Sequence, residues 1–123
     1  MFVLPSHTSI DADDFQKLLK DPDSEVRAAL TRNPKTPINV LEQLQKDSIT
    51  DVRYSVIVYA KKRLTHQMYM TAAKDPQYYI RSQVAKDYST LKDVLEYIIQ
   101  NDPDDNNRWE ARETLKEKER RES

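Results

Sequence analysis

The stretch Asp47-Ser48-Ile49-Thr50-Asp51-Val52-Arg53 decides the reading of this chain, because its outline returns at Asp21 to Arg27 and at Asp75 to Arg81. In each copy an aspartate is followed five residues on by a branched apolar residue, Val26, Val52 or Ile80, and six residues on by an arginine. Leucines or alanines stand just before each aspartate. A degraded fourth copy starts at Asp102-Pro103, where Arg108 keeps the spacing and Asn107 takes the apolar place. Recurrence about every 25–30 residues is the pattern of stacked helical pairs, since one pair cannot bury its apolar face alone. The expected architecture is all-α, a solenoid of about four helical-pair repeats.

Working outward, the first helix is expected from Asp11, with Asp13 and Asp14 in its first turn, where backbone amides favour carboxylates. Phe15, Leu18 and Leu19 form its apolar side, and Asp21-Pro22 stops it. A second helix runs from Ser24, a candidate cap, through Val26, Ala29 and Leu30, and Asn33-Pro34 ends it. Thr36 is expected to cap the third helix, with Pro37 in its first position, and Thr65 and Thr90 to cap later ones. Residues 54–59, Tyr-Ser-Val-Ile-Val-Tyr, read as a strand by propensity. Repeat register overrules this, because Val52 aligns with Val26 and Ile80, and Val56 with Leu30 and Val84. The whole of 1–123 is expected to be one domain, with repeats at about 11–35, 36–63, 64–89 and 90–118. Phe2, Val3 and Leu4 within residues 1–10 would cover the open end of the stack.

Composition excludes several chemistries. The chain has no cysteine, which removes disulfides, thiolate nucleophiles and cysteine-held metal clusters. It also has no glycine, so the phosphate-cradling loops that depend on glycine are absent. His7 and His66 show no metal spacing, and no cofactor or metal is expected. The Asp102, Asp104 and Asp105 cluster reads as a helix start, since a calcium loop wants glycine at its sharp turn. No apolar run is long enough to span a membrane, and Met1 to Pro5 lack the pattern of a secretion signal, so a cytoplasmic location is expected. Charged residues make up 33 percent, which suits an elongated stack with much surface per residue.

The wording Asp-Pro-Asp-Ser-Glu-Val-Arg-Ala-Ala-Leu at 21–30, Arg-Asn-Pro-Lys-Thr-Pro at 32–37 and Val-Leu-Glu-Gln-Leu at 40–44 resembles HEAT-like repeats, and within them the leucine-rich repeat variant group. The resemblance covers about residues 11–115 and implies a right-handed superhelix that serves as a binding scaffold. It also implies that the Asp and Arg pairs form a ladder between repeats, a structural role, and it assigns no catalytic residue. Glycosylases built from HEAT-like repeats place aromatics in a catalytic groove, but none of their catalytic positions has a match here.

Charge separates by helix. The segments holding the first helix of each pair sum to −8 and those holding the second sum to +7, although the whole chain is only −1. In HEAT-like superhelices the second helices line the concave side, so the groove is expected to be basic and to attract an acidic partner. Arg32, Tyr54, Val58, Ser82 and Lys86 stand two or six residues after an apolar anchor and are expected to face outward, with Lys61, Lys62 and Arg63 closing the middle helix. Tyr59, Tyr69 and Tyr97 are expected to pack with their hydroxyls at the surface, Trp109 to pack against the end of the stack, and Tyr78-Tyr79 to sit in a turn. The expected function is non-enzymatic protein binding through Arg32, Tyr54, Val58, Lys61, Lys62, Ser82 and Lys86. The alternative is nucleic-acid binding through phosphate contacts on the same residues. No small-molecule substrate and no membrane are expected as partners.

Overall fold

The computed structural model describes residues 12–123, with side chains from Asp13 onward. The expected cover at residues 1–10, the helix start at Asp11 and His7 lie outside the described residues. These hold eight α-helices and two short 3₁₀ turns, and no strand is found among them.

The chain divides into two compact units, Met1–Arg63 and Leu64–Ser123. The first holds α1 (Ala12–Leu19), α2 (Ser24–Ala29) running on into a 3₁₀ turn (Leu30–Arg32), α3 (Ile38–Leu44), and α4 (Thr50–Tyr59) followed by a 3₁₀ turn (Lys61–Arg63). The second holds α5 (His66–Ala73), α6 (Tyr78–Lys86), α7 (Lys92–Asn101) and α8 (Asp105–Glu122). Within the first unit α1 packs on α3 and α2 on α4; within the second α5 packs on α7 and α6 on α8. Each unit is thus two helical pairs, with first helices side by side and second helices side by side.

The core follows the register. Leu30, Val52, Val56, Ile80, Val84 and Ala111 are all buried, as are Val40, Leu41, Leu44, Val94, Leu95 and Ile98 on the partner helices. The β-branched run in α4 is helical because its spacing of three and four residues puts Val52, Ser55 and Val56 on one buried side. Local preference for strand loses to burial of that side, each large aliphatic contributing on the order of 1.5–3 kcal/mol.

The repeated Asp and Arg residues build one device, used four times. The arginine six residues on donates from Nη1 to the backbone carbonyl of its own aspartate: Arg27 to Asp21 at 2.7 Å, Arg53 to Asp47 at 2.8 Å, Arg81 to Asp75 at 2.8 Å and Arg108 to Asp102 at 2.5 Å. Arg27 also forks onto the next aspartate, Nε to Asp47 Oδ2 at 2.8 Å and Nη2 to Oδ1 at 3.2 Å, and Arg81 Nε reaches Asp102 Oδ2 at 2.9 Å. One planar guanidinium therefore holds a turn within its repeat and the following turn as well. The hydrogen bond to Asp47 raises the pKa of Arg27. Burial pushes the Asp47 carboxyl up, but hydrogen bonds from Arg27 and the Ile49 amide outweigh it and hold it below its ordinary value. The fourth copy is real: Asn107, at the apolar position, is buried and donates from Nδ2 to the Tyr78 carbonyl at 3.1 Å.

A chain without glycine must turn by other means. None of the described residues has positive φ. Instead Asp21, Asn33, Asp47, Asp75, Asp87 and Asp102 each accept, on Oδ1, the amide two residues on, at 2.8–2.9 Å. These side-chain turns leave the backbone in allowed regions that any residue can adopt.

Several caps differ from expectation. Asp23, not Ser24, caps α2, its Oδ1 accepting from the Glu25 amide at 2.9 Å. Thr36 and Thr90 cap no helix start; Pro37 and Leu91 occupy those places with extended backbone. The two threonines face backward, Thr36 Oγ1 donating to the Leu30 carbonyl at 2.7 Å and Thr90 Oγ1 to the Val84 carbonyl at 2.9 Å. Each adds a second donor to a carbonyl of the ending helix that already accepts the Asn33 or Asp87 amide. Thr65 does cap α5, accepting from the Met68 amide at 3.2 Å. Trp109 is 53% exposed, because Asn107, Ala111 and Thr114 form the inward stripe of α8 and turn it outward. Tyr78 and Tyr79 open α6 rather than a turn, with their rings edge to face at 5.9 Å.

Candidate functional site

The first unit carries a basic concavity where α2 and α4 end side by side. Pro34 pushes Asn33 out of the helical region, to φ −85° and ψ 116°, and this closes the 3₁₀ turn at Arg32. The α4 helix stops at Ala60, whose φ of −102° and ψ of 17° leave the helical basin, and Arg63 N then bonds to the Ala60 carbonyl at 2.9 Å. Both chains thus narrow and turn away together, leaving a hollow of about 530 Å³.

Its lining sets an apolar patch, Pro34, Val58 and Ala60, beside the cations Arg32, Lys61, Lys62 and Arg63. No carboxylate stands among the lining residues. The Arg32 guanidinium lies over the Tyr59 ring, 4.3 Å from its centre, which fixes the ring at the edge of the hollow. Cations in a helix's last turn complement its dipole, a gain of about 0.3–1 kcal/mol each. That explains one or two of them. Four around a single hollow repel one another, and a bound anion would relieve the repulsion.

Two smaller hollows sit beside the ladder, one in each unit, and differ in chemistry. The hollow of about 310 Å³ near Asp21 is lined by Lys20 and Arg27 together with Asp21 and Asp47, and that of about 270 Å³ near Asp75 by Lys74 and Arg81 together with Asp75 and Asp102. Both signs are present, so these hollows are neutralised by their own walls.

Of the residues expected to bind, Arg32, Val58, Lys61 and Lys62 line the basic hollow together. Tyr54, one turn earlier on α4, is half-buried and lies outside the lining. Ser82 and Lys86 belong to the second unit. Lys86 is exposed, but Ser82 is only 9% exposed, against the expectation that it faces outward. The cause is α8: Asn107 bonds to the Tyr78 carbonyl and Thr114 to the Ala85 carbonyl, and Ser82 lies between these two on the same face of α6. Sequence reasoning missed Tyr59, assigned to packing yet 52% exposed in the lining, and Pro34 as part of the apolar patch. The register offered a signal for Tyr59, since it adjoins the outward position Val58 just before the helix breaks.

Several polar groups outside the hollow are paired. Tyr69 is buried and donates its hydroxyl to Asp87 Oδ2 at 3.0 Å; burial, then the Asp87 charge, pushes its pKa up to about 12. Tyr97 lies under Lys74 at 5.1 Å. His66 Nε2 stands 2.8 Å from Asp93, both exposed. Among the described residues no group of three or more His, Asp or Glu side chains could hold a metal ion. No helix among them is long and apolar enough to cross a membrane. Compared with protein-family models, curated proteins and solved structures, the chain finds no match.

Proposed function

We propose that this chain is a non-enzymatic, cytoplasmic scaffold, a right-handed solenoid of HEAT-like helical pairs, that binds an acidic segment of a protein partner in the basic hollow of its first unit. The observation that carries this reading is the combination of four cations, an apolar patch and no carboxylate in one lining. The cations take the partner's carboxylates, Arg32 and Arg63 offering forks that can engage them bidentately. Val58 and Pro34 take an apolar side chain set between those carboxylates. Tyr54 flanks the hollow on α4 and adds aromatic surface. Stacking on a single tyrosine whose ring already carries Arg32 offers less to a nucleic acid, which needs a run of aromatic platforms along its path.

The test compares two probes on the full chain: a fluorescent acidic peptide with one leucine, and a single-stranded oligonucleotide of equal charge. Lys62→Glu with Arg63→Glu should weaken peptide binding by about tenfold or more, while circular dichroism stays unchanged because neither side chain is buried. Tighter binding of the oligonucleotide, with affinity falling by about 10³ or more between about 50 and 200 mM salt, would replace the peptide by a phosphate backbone. Peptide binding indifferent to the charge reversals would remove the hollow from the function.

A further inference from the structure

The two units repeat one backbone design, and the second unit covers with its own chain the place that the first leaves open. The loops after α2 and α6 match bond for bond. Asn33 Oδ1 accepts from the Lys35 amide at 2.9 Å and Asp87 Oδ1 from the Ser89 amide at 2.8 Å, while Thr36 and Thr90 each reach the carbonyl six residues back. The helices that follow in each unit differ. Counted from the ladder arginine, Tyr59 and Thr114 are equivalent, six residues past Arg53 and Arg108. The α4 helix ends at Tyr59, whereas α8 continues for eight more residues, to Glu122.

Those extra turns lie over the second unit's loop. Lys118 Nζ donates to the Tyr88 carbonyl at 2.6 Å, the Arg121 guanidinium sits 4.6 Å from the centre of the Tyr88 ring, and Glu122 pairs with Lys92 at 2.7 Å. In the first unit the equivalent loop residues, Asn33 and Pro34, border the open hollow. Resting on the acidic-segment reading, we infer that the hollow is the seat of about one turn of a helix supplied by the partner, taking the place that the α8 extension takes in the second unit.

Backbone chemistry and charge agree. The hollow is walled by helix ends and offers no sheet edge, so an extended segment would leave its backbone amides and carbonyls unpaired there, while a helix satisfies its own. Carboxylates three and four residues apart on one helix face can be shared among Arg32, Lys62 and Arg63 in the same lining. A strand presents only alternate side chains to the same surface.

The experiment uses the full chain and two peptides of identical composition, rich in glutamate with one leucine. One is locked as a helix by a side-chain lactam, and the other carries its proline in the middle rather than at the N-terminus. Binding by fluorescence anisotropy should favour the locked peptide by about tenfold or more, and Lys62→Glu with Arg63→Glu should abolish that preference. Equal affinity for the two, still lost on charge reversal, overturns the helical seat and leaves the acidic-segment reading standing. Failure of both peptides to bind overturns both.

Discussion

At the scale of single residues, two ladder arginines carry more than their exposure implies, because Arg27 and Arg81 each span two turns. Arg81 and Asp102 are the most enclosed pair, with side chains 11% and 1% exposed. Arg81→Ala removes the facing charge from the buried Asp102 carboxylate, leaving it the Asp104 amide and a long contact from Asn107, and takes a donor from the Asp75 carbonyl, so unfolding in urea should show a loss of about 3–5 kcal/mol. Arg81→Lys keeps the charge but cannot donate in two directions from one plane, and it should recover less than half of that loss. Asp47 gives the matching pH dependence. Its folded pKa lies below its unfolded one, so the native state holds fewer protons in that window. The stabilisation is full above the unfolded value and is lost as pH falls through the folded one. Acid titration of stability should therefore bend downward below about pH 4, and Asp47→Asn should be less stable at neutral pH but flatter across that limb.

At the scale of elements, the helices were legible where register and burial agree, and their ends were not. Asp to Arg spacing fixed α2, α4, α6 and even α8, since Asn107 keeps a buried place by finding a carbonyl partner. A threonine beside a proline or leucine can serve the helix ahead or the one behind, and sequence does not say which. The decision rests on backbone, as Pro37 and Leu91 are extended and take the cap position themselves. The candidate site divides similarly: Arg32 and Val58 follow from register, and Lys61 and Lys62 from the basic run that closes α4, whereas the covering of Ser82 depends on where α8 lies across α6. Val58 exposes a β-branched side chain at the end of α4, which helix propensity alone does not favour. Val58→Ala should raise stability by a few tenths of a kcal/mol, read by thermal melting, and weaken peptide binding severalfold by removing part of the apolar patch. A variant that bound the acidic peptide as well as wild type would show that the apolar patch contributes nothing.

At the scale of the whole molecule, the net charge of −1 conceals the feature that should govern its response to salt. Arg32, Lys61, Lys62 and Arg63 stand around one hollow, and in water like unit charges within about one Debye length repel by a few tenths of a kcal/mol per pair. Lys62 and Arg63 take part in most of those pairings. Their gain from the short 3₁₀ turn's dipole, a few tenths of a kcal/mol each, is smaller than the summed repulsion. Neutralising both with Lys62→Gln and Arg63→Gln should therefore stabilise the free chain by about 1 kcal/mol at low ionic strength, a rise in melting temperature of roughly 2–8 °C. At about 0.5 M salt the Debye length falls to roughly 4 Å, the repulsion is screened, and the variant and wild type should melt together. The same variant should lose most of its affinity for an acidic peptide at low salt, so stability and binding move in opposite directions. A double variant that is less stable than wild type at every salt concentration would mean that these cations serve the fold, and the hollow would then have no claim on a partner.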